Sequence, residues 1–179
     1  MFWTLLEKIA RATAGYLKSQ IAAGAAAVQL FDTWAGELSR RDYEDFALPA
    51  TQLLVAELDA AGTPVILYTK SSAHLLRSVA RAGADVLSVD WRVDLAELRQ
   101  QLGPHVAVQG NVDPCILLGP EEGIRQAVRE AIEKTGGAGH ILNLGHGILP
   151  QTPVENARVF VRAGQTTSLP ARVPLGRAD

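Results

Sequence analysis

Blocks of helical spacing and short unbroken apolar runs take turns along this chain. Residues 4–23 place Leu5, Leu6, Ile9, Tyr16, Leu17 and Ile21 on one helical face behind Thr4-x-x-Glu7, a capping-box pattern, and Gly24 ends the helix. Residues 25–31 then read as a buried strand that stops at Asp32-Thr33-Trp34-Ala35-Gly36. The next helix is expected from Pro49 through Leu53, Leu54 and Leu58 to Gly62, while residues 40–47 show no clear period. Strand 65–69 follows Pro64, and Ser71 or Ser72 is expected to cap a helix that runs to Arg81 and stops at Gly83. A third strand, 86–89, leads into Asp90-Trp91. Asp94-x-x-Glu97 opens a short helix closed by Gly103-Pro104, and a fourth strand, 105–109, ends in Gly110-Asn111-Val112-Asp113-Pro114. Pro120, Glu121 and Glu122 start a helix to about Thr135, released by Gly136-Gly137. Within the stretch 141–148, an apolar run from Ile141 reads as a fifth buried strand and stops at Gly145-His146-Gly147, two glycines expected to relieve steric limits around one imidazole. Thr152-Pro153-x-Glu155 is expected to cap a last helix to Gly164.

A helix followed by five strand–helix units with short connections predicts an α/β fold with a parallel sheet and outer helices. Two architectures fit, an open doubly wound sheet and part of an eight-unit barrel. None of the five strand–helix turns carries Gly-x-Gly-x-x-Gly, which a dinucleotide-binding sheet would show. At 179 residues, 47% hydrophobic and 20% charged, the chain can bury one sizeable core, expected within residues 1–166, with 167–179 as a disordered tail. A net charge of -2 gives no general electrostatic reason to bind nucleic acid or an anionic membrane. The single cysteine, Cys115, excludes an intramolecular disulfide or a multi-thiolate zinc site within the chain and suits a reducing, cytoplasmic setting. No apolar run approaches the roughly 20 residues of a membrane span, and Glu7, Lys8 and Arg11 break the order of a signal peptide.

Parallel strands carry their carboxyl ends on one side, so the residues just after each strand become candidate neighbours. They are Asp32, Thr33 and Trp34; Tyr68, Thr69 and Lys70; Asp90 and Trp91; Asn111 and Asp113; and Asn143 and His146. Polar and ionisable groups gather there, whereas the strand starts are mostly plain, and that asymmetry points to a site. Plainer roles stand beside it. Asp32 and Asp113 also fit as caps of loops or helix starts, Trp34 and Trp91 as packing residues, and Lys70 as a solvated charge. Asn143, inside an apolar run, is expected to need a buried partner and to hold a neighbouring loop. His74, His105, His140 and His146 are scattered, with no His-x-x-x-His, and no base is placed beside Cys115, so neither a metal nor a thiol nucleophile is expected. One histidine with carboxylates and hydroxyls suits proton transfer.

Phe31-Asp32-Thr33-Trp34-Ala35-Gly36, Ser88-Val89-Asp90-Trp91, Gln109-Gly110-Asn111-Val112-Asp113-Pro114 and Asn143-Leu144-Gly145-His146-Gly147-Ile148, in this order, resemble the C-terminal half of the uroporphyrinogen decarboxylase family. The resemblance implies a TIM-type (β/α)8 barrel of which about the last five β/α units are present, and a homodimer. It implies removal of CO2 from the four acetate side chains of uroporphyrinogen III, giving coproporphyrinogen III in haem biosynthesis by acid–base catalysis without metal or organic cofactor. By the same resemblance Phe31, Thr33 and His146 contact substrate. Thr33 stands where the family often has serine, and His146 is the active-site histidine that binds a substrate carboxylate or assists proton delivery. Asp32, Lys70, Asp90, Asn111 and Asp113 complete the implied strand-end cluster.

The family's N-terminal half supplies arginines for the carboxylate arms, an aspartate for the pyrrole N–H groups and a tyrosine near the reacting arm, none of which this sequence contains before Met1. Five units are too few to close eight strands, so the chain reads as part of a longer polypeptide and is expected to turn over little or no substrate alone. Two other functions compete. A corrinoid- or thiol-dependent methyltransferase of the same superfamily would use zinc on His and Cys ligands, which a single cysteine disfavours. A half-barrel binding porphyrin or a partner chain without chemistry is the other.

Overall fold

The structure, a computed structural model, describes residues 2–59, 62–103 and 105–169. The chain packs as two compact units, one through Leu87 and one from Ser88.

In the first unit, helix α1 (Phe2–Ala22) buries Ala10, Ala14 and Leu17 against Leu54, Val55 and Leu58 of helix α3 (Leu48–Asp59), with Val28 and Val65 from the strands beneath. Because α1 begins at Phe2, Thr4 already lies inside its first turn and Thr4-x-x-Glu7 is not a capping box. Glu7 instead meets Arg11 one turn on, at 3.0 Å. Strand β1 (Val28–Asp32) starts later than expected and is not a buried strand, for only Val28 is fully covered and Phe31 is 65% exposed. The aperiodic stretch before Pro49 is helical. Ser39 accepts from the Asp42 backbone N–H at 3.1 Å and caps helix α2 (Arg40–Asp42), which passes through a π-helical turn, Tyr43–Ala47, into α3. Pro49 has no N–H to give, and the turn ahead of it is wound in the wider π register.

Strand β2 (Val65–Thr69) pairs with β1 in parallel, from Val28 opposite Val65 to Asp32 opposite Thr69. Ser72 does not cap the following helix. Its hydroxyl turns back to the Thr69 carbonyl at 3.1 Å and the Thr69 hydroxyl at 2.7 Å, so a 3-10 turn, Ala73–Leu75, precedes a short helix α4 (Leu76–Ala80). Strand β3 (Val86–Val89), buried throughout, carries the boundary between the units.

In the second unit, Asp94 accepts from the Ala96 and Glu97 N–H groups and opens helix α5 (Leu95–Leu102), as the sequence indicates. The closing Pro104 lies outside the described residues. Strand β4 (Ala107–Val112) starts later than expected and takes in the Gly-Asn-Val stretch. A 3-10 turn, Pro114–Leu118, then leads to helix α6 (Glu121–Thr135), which ends on left-handed Gly136 and buries Ile124, Val128 and Ile132. Strand β5 (His140–Leu144) lies parallel to β4, with Asn111 opposite Asn143 and Val112 opposite Leu144. It stops at Leu144, just before Gly145, as expected, and corrects only the reading of a buried strand, being half exposed, with Ile141 44% open. Helix α7 (Val154–Thr166) has no side-chain cap, and Thr152 does not serve as one. Gly164 does not stop it either. That glycine lets α7 approach β5, since a Cβ there would sit 2.5 Å from Leu142 Cδ2.

The strands follow one another in chain order, β1-β2-β3-β4-β5. A doubly wound sheet reverses its order at a switch point, so the sequential order selects the barrel-type α/β pattern between the two architectures. Of the expected tail, residues 167–169 follow α7 without helix, and 170–179 lie outside the described residues.

Candidate functional site

At the end of β1, Phe31 presents its ring to solvent and leans on buried Tyr68, with centroids 5.6 Å apart. Asp32 is half buried, which pushes its carboxyl up, while N–H groups of Trp34 and Ala35 pull the other way. The Trp34 N–H reaches Asp32 Oδ1 at 3.2 Å, so the loop-cap role holds. The turns after β1 and β2 are tied together. Lys70 N–H donates to the Asp32 carbonyl and Gly36 N–H to the Lys70 carbonyl, each at 3.2 Å. A Cβ on Gly36 would collide with the Lys70 and Ser71 backbone, so the position requires glycine for closeness. Asp32, Thr33 and Lys70 are thereby brought to one edge, with Thr33 and Lys70 half buried. Trp34 does not pack; it is 75% exposed. Phe31 and Asp32 also border an open groove of about 340 Å³ shared with Ile9, Thr13, Ala50 and Thr51.

Tyr43 was not legible as part of this edge. It is 1% exposed on the π-helical turn, and its hydroxyl is pushed well up, first by burial and then by the charge of Asp32. The only sequence hint was the loss of period over residues 40–47.

In the second unit Asp90 is fully buried, and its carboxylate accepts from the Arg92 backbone N–H at 3.1 Å and guanidinium at 2.8 Å. The Arg92 guanidinium stacks over Trp91, 4.3 Å from the ring centroid. Asn111 bridges this turn, its Nδ2 donating to the Asp90 carbonyl at 2.9 Å and the Val93 carbonyl at 2.6 Å. Gly145 donates its N–H to the Val112 carbonyl at 2.7 Å and sits so close that a Cβ would strike the Trp91 backbone nitrogen. His146 follows at the surface, and beyond it Gly147 has open space. The two glycines therefore do different things, and only Gly145 is needed for contact.

Asp90, Asn111 and His146 are thus gathered by one set of backbone contacts. Asp113 serves as a cap, its Oδ1 accepting from Cys115 N–H at 2.9 Å, and its charge is the main cause raising the exposed Cys115 thiol. Asn143 overturns its expected role. It is exposed and accepts from the adjacent Leu144 N–H at 2.8 Å, holding no loop. His74 bonds the Leu38 carbonyl at 2.9 Å. Among the described residues no three His, Cys, Asp or Glu side chains gather in a metal-holding group, and no helix is long and apolar enough to cross a membrane.

A parallel α/β chain with its polar groups collected just beyond the strands has the layout by which such folds build enzyme sites. The chain matches the model of the uroporphyrinogen decarboxylase (URO-D) family over residues 1–167, and it belongs to that family. It is 55% identical over 158 residues to the uroporphyrinogen decarboxylase of Gloeobacter violaceus, covering 87% of this chain and 46% of that protein. It is 48% identical over 170 residues to that of Trichodesmium erythraeum, covering 94% and 48%, and 48% identical over 169 residues to that of Pelobacter propionicus, covering 94% and 50%. The chain spans about half the length of these curated relatives.

Proposed function

We propose that this chain supplies substrate-contacting and proton-transferring residues for decarboxylation of uroporphyrinogen III to coproporphyrinogen III, in the cytoplasm and within a homodimer. The observation that carries the reading is the pair of presented groups at strand ends in a chain of this family, Thr33 after β1 and His146 after β5.

Uroporphyrinogen is polyanionic and reactive at its pyrrole carbons. A proton added to a ring carbon makes that ring an iminium-like acceptor. The bond between the acetate methylene and its carboxylate then breaks, its electron pair flowing into the ring as CO2 leaves. A proton delivered to the exocyclic carbon makes the methyl group, and the ring proton is lost, so each arm consumes one proton and releases one CO2. Thr33 offers a hydroxyl that donates to a carboxylate arm, and Phe31 an exposed ring for apolar contact with the macrocycle. His146, presented beside Gly145, binds a carboxylate or moves the proton. Asp32, Lys70, Asp90, Asn111 and Asp113 shape the turns that carry these groups, and no metal or organic cofactor takes part.

Titration with uroporphyrin, followed by chromatographic assay of coproporphyrinogen formed from reduced uroporphyrinogen III, separates binding from chemistry. Thr33→Ala is expected to weaken porphyrin binding, and His146→Ala to weaken it or to abolish product. Unaltered binding and turnover in both variants would overturn the assignment.

A further inference from the structure

The second unit holds a histidine that the proposed chemistry does not use. His140 opens β5, with Nε2 2.6 Å from the Gly110 carbonyl oxygen and Nδ1 3.0 Å from Thr135 Oγ1 in the last turn of α6. A carbonyl oxygen can only accept, so Nε2 carries the proton, and Nδ1 of the neutral ring is an acceptor facing the Thr135 hydroxyl, whose single proton also lies within reach of the Ile132 carbonyl at 3.0 Å. Burial is the main cause that disfavours charging the ring. The Gly110 bond acts the other way, and the nearby Arg99 cation, which donates to the Ala138 and Gly139 carbonyls, adds to the disfavour.

What His140 grips is a backbone with no side chain of its own to hold it. Gly110 lies at φ 130°, where a Cβ would come within 2.7 Å of the Val89 carbonyl oxygen. The next residue, Asn111, makes two contacts that matter for His146. Its Nδ2 fixes the Asp90 and Val93 carbonyls, and its carbonyl oxygen lies 3.2 Å from where a Gly145 Cβ would stand. The Asp90-Trp91 backbone forms the rest of that seat, its Asp90 carbonyl carbon 3.0 Å from the same point. We propose that His140 is a positioning residue: through the Gly110 carbonyl it fixes Asn111, and through Asn111 it fixes the seat on which Gly145 places His146.

The functional meaning rests on His146 as a substrate contact, but the test reads His146 itself. Carbethoxylation of His146 by diethylpyrocarbonate, measured by peptide mass spectrometry as a rate relative to His74 in the same sample, reports how the imidazole is presented. His140→Leu is expected to change that ratio severalfold. His140→Gln, whose amide can still donate to the Gly110 carbonyl, is expected to restore it, which a mere packing role would not do. An unchanged ratio in His140→Leu, or a glutamine variant that behaves like the leucine one, would overturn the proposal. Should His140→Leu fail to fold, Asn111→Ala cuts the next link and must shift the same ratio. In the unaltered chain, nitrogen-15 NMR must then show His140 as the Nε2–H tautomer, and the Nδ1–H tautomer is disqualifying. A restored ratio in protein that neither binds nor converts porphyrin would overturn the substrate reading alone.

Discussion

Gly145 and Gly147 flank the same imidazole, yet a methyl group on each meets very different surroundings. On Gly145 it would collide with the Trp91 backbone nitrogen, a rigid neighbour that cannot swing aside, whereas on Gly147 it would meet nothing within 4 Å. Gly145→Ala should therefore lower the unfolding free energy by about 1–3 kcal/mol. Gly147→Ala should stay within about 0.5 kcal/mol of the parent chain, as compatible surface changes do. Denaturant melts of the two variants check this, and equal stabilities would contradict the seat described for Gly145. The sequence shows both glycines but not which one is pressed, because the pressing backbone arrives from residues more than fifty positions away. Cys115 carries a second residue-scale prediction. The Asp113 carboxylate raises its thiol, so Asp113→Asn should shift the pH midpoint of Cys115 alkylation by iodoacetamide to lower pH, and an unmoved midpoint would remove Asp113 as the cause.

At the scale of elements, cap residues separate what the sequence made legible from what it did not. Asp94 keeps its promise because its carboxylate both accepts from two N–H groups of α5 and meets Lys134 of α6 at 2.7 Å. The Lys134 bond is the first cause holding this carboxyl below its ordinary value of 3.8, with the Glu97 N–H next. A carboxyl lowered by folding stabilises the fold at pH above its unfolded value and loses that contribution as pH falls through the folded one. Asp94→Ala should accordingly cost about 1 kcal/mol near neutral pH, and the difference should shrink as pH drops below the ordinary carboxylate range. Urea melts at a series of pH values test the sign, and a penalty that grows on acidification would refute it. Thr152 has the same sequence credentials and fails. Its hydroxyl is buried without a partner, since Pro153 stands at the cap position and α7 has no side-chain cap. Thr152→Val should thus be neutral or stabilise by up to about 1 kcal/mol, whereas a capping threonine would lose about that much. The helical nature of residues 40–47 was hidden for a related reason. A π-helical turn spoils the 3.6-residue period by which helices are read.

For the whole molecule, alternation of strand and helix was enough to predict the parallel α/β pattern, and the sequential strand order then chose between two architectures that alternation alone leaves equal. Exposure of β1 and β5 was not legible, because an apolar run states what a strand can bury and not what lies against it. The same limit applies to chemistry. Thr33 and His146 are each placed by their own unit, and the polyanionic substrate proposed above calls on more groups than those two. Their roles are best tested where the family's full length is present. A chimera in which this chain replaces the matching 158 residues of the Gloeobacter violaceus relative should release CO2 from uroporphyrinogen III. In that background His146→Ala should lower kcat/KM by about 10²-fold, the lower range for losing a group that moves a proton. Thr33→Ala should act mainly through KM, as removal of a ground-state carboxylate contact does. Arg158→Ala, on the exposed side of α7 and paired with Glu155, serves as the control and should change neither constant. A chimera that turns over at the relative's own rate with alanine at position 146 would show that the imidazole at the end of β5 takes no part in the reaction.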